Sequence, residues 1–176
     1  MQESVTFFSS DLGQAVISLE NAARVAYADP QVEDIAQTVL EQTGRDDPFY
    51  QLIDAYIDVN DLVHQNLQSN LSSDYNFFRG MANGQALDTD NLSLLGDLWA
   101  NQDEARQETS DWLFGFLLMA YRPLGIEGMG ANLNFSKTPA GQALNAAMFV
   151  GFDRMFDEIS YELGLNVGRA LSASDL

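Results

Sequence analysis

Three times in this chain a residue that caps helices is followed at once by proline: Asp29-Pro30, Asp47-Pro48 and Thr138-Pro139. The side-chain oxygen of Asp or Thr accepts from the free N–H groups of a helix's first turn. Proline, with its φ fixed and no N–H to leave unpaired, suits the first helical position. Each pair therefore opens a helix and closes whatever precedes it. Around these openings the apolar residues recur at spacings of three and four. Leu12, Val16, Leu19, Ala23 and Ala26 draw one stripe, and Val32, Ile35, Ala36, Val39 and Leu40 a second. Phe49, Leu52, Ile53, Tyr56, Val63 and Leu67 form a third, on a helix predicted to run to about Leu71. No run of Val, Ile, Thr and Tyr alternates as a strand would. The predicted fold is all-α: a single-domain helical bundle of five to seven helices spanning residues 1–176, with a central apolar helix.

The central helix is the stretch from Trp112 to Tyr121, apolar on every side, as befits a helix in the middle of a bundle. Its ten residues are about half of a membrane span, so no membrane span is expected. Between Ser72 and Gly84 the pattern is ambiguous, because Gly80 and Gly84 interrupt it. Asp88 to Asp90 read as a new helix start before Leu92, Leu95, Leu98 and Trp99; the spacing there fails the calcium-loop pattern at Leu92, Ser93 and Trp99. Gly125, Gly128 and Gly130 predict a flexible loop over 122–137. The last helix, from Pro139 to near Gly164 or on to Leu171, is expected to turn Leu144, Ala147, Met148, Gly151, Met155 and Ile159 inward. The tetrapeptides Gly13-Gln14-Ala15-Val16, Gly84-Gln85-Ala86-Leu87 and Gly141-Gln142-Ala143-Leu144 are unequally spaced, which argues against a true repeat.

Charge restricts the partners. Twenty-six acidic residues stand against eight basic ones, a formal charge of -18, and Lys137 is the only lysine. Nucleic acid and anionic membranes are poor partners for such a chain, because Lys and Arg supply most of the affinity for phosphate. A protein partner with a basic surface, or a homo-oligomer, fits better. The same charge predicts that melting temperature rises between very low and physiological salt; an unchanged value would show that self-repulsion is not limiting. Met1 to Ser10 lack the basic start and apolar stretch of a signal peptide, and the compartment stays open.

The catalytic repertoire is thin: one histidine and no cysteine. Asp61 and His64, three apart, would share a helix face and are the only metal-ligand candidates. Asp-x-x-His is half of a carboxylate-bridged dinuclear site, whose second histidine this chain lacks. Asp54, Asp58 and Asp61 form an acidic stripe at i, i+4 and i+7. They mark a solvated face or one relieved by a basic partner. Ala143, Ala147 and Gly151 place a small residue every fourth position along the last helix, where another helix can approach closely. No Gly-x-Ser-x-Gly elbow presents a nucleophile, and no cofactor is implied. The expectation is a non-enzymatic acidic interaction protein. The alternatives are a carrier of a small apolar ligand, lipid or pigment, in an aromatic pocket, and an inhibitor that imitates the charge of nucleic acid.

Overall fold

The computed structural model describes residues 2–85 and 102–174, and they are helical almost throughout, with no strand among them. In chain order the helices are α1 (Gln2–Phe8), α2 (Asp11–Ala26), α3 (Pro30–Gln42), α4 (Pro48–Val59), α5 (Leu62–Asn83), α6 (Gln102–Tyr121), α7 (Gly125–Ser136) and α8 (Pro139–Ser174), with a 3₁₀ turn at Arg122–Leu124. The predicted start over Asp88 to Asp90 lies outside the described residues. All three cap-then-proline pairs open helices. Asp29 accepts from the Gln31 N–H at 3.0 Å, and Asp47 from the Phe49 and Tyr50 N–H groups at 2.7 and 3.1 Å. Thr138 accepts from the Gly141 N–H at 3.0 Å.

Asp47 carries a pH prediction. The backbone N–H groups of Tyr50 and Phe49 hold its carboxyl below the ordinary value of 3.8, and Arg122 adds to the effect. The folded value is depressed, so the cap's contribution is present above the unfolded value and is lost as pH falls through the folded one. Asp47→Asn keeps an acceptor that does not titrate. It is expected to flatten the fall of melting temperature between about pH 5 and about pH 2; an unaltered slope would place the acid sensitivity elsewhere.

The chain packs as two compact units, residues 1–63 with 107–146 and residues 64–106 with 147–176. The first unit is built on the predicted central helix. Leu113, Phe114, Phe116, Leu117, Leu118, Ala120 and Tyr121 of α6 are buried, and Val16, Ala23, Tyr27, Ala36, Phe49, Ile53 and Ile57 close around them. Tyr50 stacks on Phe114 at 4.8 Å between ring centroids, and Tyr121 donates to Glu20 Oε2 at 3.1 Å. Burial raises both the Tyr121 and the Tyr56 hydroxyls above their ordinary value, which keeps them neutral hydrogen-bonding groups.

The glycine-rich segment is a correction. The loop predicted over 122–137 is the 3₁₀ turn and then helix α7. Only Gly125 needs glycine's freedom, with φ 64° and ψ 178° at the junction. Beyond it Met129, Asn132, Leu133 and Ser136 are buried, and α7 packs on α4. Tertiary burial outweighs the roughly 1 kcal/mol per glycine by which the segment's helix propensity is reduced.

Two of the three Gly-Gln-Ala tetrapeptides share one local structure. Ser10 donates to Phe7 O at 2.6 Å and Thr138 to Phe135 O at 2.8 Å. The Gln14 side-chain amide donates to Phe8 O at 2.5 Å, and that of Gln142 to Ser136 O at 2.8 Å. The rings of Phe7 and Phe135, corresponding residues of the two turns, stack at 4.0 Å. The third copy differs: Gly84 follows the end of α5, and Gln85 has φ 69°. This is a recurring helix-start device used twice, as expected of short helix–helix turns, and not a repeat architecture.

Candidate functional site

The acidic and metal-ligand candidates separate at a break between two helices, across which the apolar periodicity runs on. The predicted third helix ends as α4 at Val59, and α5 begins at Leu62. Between them Asp61 takes φ 51°, a left-handed conformation that a short polar side chain tolerates better than most. Side-chain amides of α8 hold the break: Gln142 donates to Val59 O at 2.8 Å and Asn145 to Asn60 O at 3.0 Å. Asp61 is therefore off the helix, and it does not share a helix face with His64. Among the described residues no three His, Asp or Glu side chains gather as a metal would require. Asp54 and Asp58 remain exposed neighbours on α4, without Asp61 as the third member of their stripe. The break had a sequence signal in Asn60-Asp61, two residues at home in turns.

The second unit contains the more informative arrangement. There α5 and α8 run parallel, in register at an offset of about 84 residues, as the partnerships themselves show. Ser69 donates to Asp153, and Ser72 to Asp157 at 2.7 Å. Farther along, the helices touch backbone to backbone at four glycines. A Cβ on Gly84 would sit 2.8 Å from Gly168 Cα and 2.7 Å from Leu165 O, and one on Gly168 would sit 2.6 Å from Met81 O. A Cβ on Gly80 would strike Tyr161 O, and one on Gly164 would strike Phe77 O. Ser172 closes the seam by donating to Gly84 O at 2.9 Å. Arg79 lies over the Tyr161 ring, 4.8 Å from its centroid. Ser, Asp and Gly recur along the seam, and buried Asn76 bonds back to Ser72 O at 2.9 Å.

Packing through that polar, small side turns the apolar side of α8 outward. Met148, Phe152, Met155, Phe156, Ile159 and Leu163 are each between 42 and 56 % exposed. At 100° per residue they occupy an arc of about 100°, and they run for about 22 Å, or four turns. Met148, Met155 and Ile159, expected inward, are outward. Ala143, Ala147 and Gly151 are exposed too, and a Cβ on Gly151 would meet nothing within 4 Å. The close approach predicted for that stripe is made by Gly164 and Gly168 instead. These two belong to a second period on the same helix, Asp153, Asp157, Gly164, Gly168, which the stronger apolar stripe masks in the sequence.

Elsewhere, an open groove of about 730 Å³ beside Glu3, Phe7, Phe135 and Thr138 lies over the stacked phenylalanines in the first unit. No helix among the described residues is long and apolar enough to cross a membrane. Comparison with protein-family models, with curated proteins and with solved structures returned no match.

Proposed function

We propose that this chain is a non-enzymatic interaction protein, and that its docking surface is the outward apolar face of α8. The observation that supports this is the inverted polarity of one helix: Asp153 and Asp157 point to serines on its neighbour, while two Phe, two Met, Ile159 and Leu163 face solvent. A solvated helix ordinarily does the reverse, and an apolar strip of this length is what binding surfaces carry. Scattered exposed residues such as Val25, 78 % exposed on α2, need no such reading.

A photo-reactive phenylalanine analogue placed at Phe152 tests it in an extract of the source cells, with the same analogue at Val25 as the control. The reading expects a discrete cross-linked species at Phe152, of a heterologous partner or of a second copy, at a yield well above that at Val25. Equal yields at the two positions would overturn it.

A further inference from the structure

The docking face on α8, taken as read above, is bordered by charge of one sign, and this selects its occupant. Between Met148 and Leu163 the helix carries Asp153, Asp157, Glu158 and Glu162 against a single cation, Arg154. Helical geometry puts Glu158 and Glu162 along one margin of the apolar arc, and Arg154 on the side away from it. Both glutamates are exposed. Asp153 and Asp157 lie toward the opposite margin and are held by Ser69 and Ser72. The face is thus an apolar strip with an acidic edge, where neither Glu158 nor Glu162 is ion-paired among the described residues, in a chain of formal charge -18.

We infer that the occupant is an amphipathic helix of a different protein, about four turns long, with its apolar side edged by Lys or Arg. A partner helix laid along the strip buries the Phe, Met, Ile and Leu side chains, and its cations meet Glu158 and Glu162 at the rim. A second copy of this chain fits poorly. It would bring four more carboxylates and only one more arginine to the same interface, and like charges across an interface oppose association. The apolar strip supplies the affinity, and the acidic rim supplies partner choice and the speed of encounter.

The test uses the full chain and synthetic helical peptides of about three heptads, followed by titration calorimetry, with sedimentation of the chain alone. One peptide carries a Leu stripe edged by Lys; a second has Glu for Lys; a third has the Lys peptide's composition scrambled so that no apolar face forms. The expected result is a one-to-one complex with the Lys-edged peptide, at least about tenfold tighter than with either of the others and weakened by salt. Glu158→Gln with Glu162→Gln is expected to weaken it several-fold and reduce the salt dependence. Phe152→Ser with Ile159→Ser is expected to abolish it while the helical circular dichroism is retained.

If the Glu-edged peptide binds as well as the Lys-edged one, the inference about charge falls and the docking face stands. Binding of the scrambled peptide as tightly, or binding that survives Phe152→Ser with Ile159→Ser, would show attraction to net charge alone and overturn both. A dimer of the unaltered chain that these two serines dissolve would overturn the heterologous occupant and leave the docking face in place.

Discussion

Replacing Gly80 or Gly164 by alanine is expected to destabilise the α5–α8 pair by about 3 kcal/mol or more, despite alanine's better helix propensity. The competing terms are both known in size. Glycine to alanine in a helix interior gains roughly 1 kcal/mol. Against this, each new Cβ would be driven into a backbone carbonyl of the other helix, Tyr161 O for Gly80 and Phe77 O for Gly164. Backbone cannot rotate aside as a side chain can, so the helices must separate along the seam and lose the neighbouring Gly84–Gly168 contact and the Ser172 bond to Gly84 O. Gly151→Ala, on the same helix in open space, is the matched control and is expected to stabilise by about 0.5–1 kcal/mol. Urea unfolding followed by circular dichroism measures all three. The same sign for Gly164→Ala and Gly151→Ala would show that α5 and α8 do not meet as described.

Met129→Ala is expected to cost about 2–5 kcal/mol, the range for emptying a fully buried site. Met129 has no exposed surface and sits in α7, where the glycines had predicted a loop. In a flexible loop the same substitution would be nearly neutral, so the size of the loss reports whether 125–136 is a packed helix. Gly130→Ala supplies the second sign. Its Cβ would meet nothing within 4 Å, and in a helix it is expected to stabilise by about 0.5–1 kcal/mol. A neutral Met129→Ala would contradict the packing of α7 on α4.

These two cases also show where sequence and structure part. Short-range chemistry was legible: Asp29, Asp47 and Thr138 cap where expected, and the all-apolar run after Trp112 lies in the core of its unit. What depends on a distant partner was not. Gly128 and Gly130 read locally as breakers, yet burial of Met129 and Leu133 holds them in a helix. Gly80 and Gly84 read as the end of a pattern, and their role appears only opposite Gly164 and Gly168, 84 residues away along the chain. The outward face of α8 has the sequence pattern of a core face for the same reason. An apolar stripe says that something covers it and does not say whether that is the chain itself. The helix face expected to carry Asp61 and His64 together is interrupted by a break held by Gln142 and Asn145, again far along the chain.

The most direct measurement of the outward face is the rate at which individual methionines are oxidised by dilute peroxide in the folded, isolated chain, read by peptide mass spectrometry. Met148 and Met155 lie on the outward apolar strip of α8 at 49 and 42 % exposure, whereas Met129 is wholly buried. The account predicts that Met148 and Met155 oxidise early and together, well before Met129. Protection of Met148 and Met155 to the level of Met129 would mean that the face is already covered, and would contradict it.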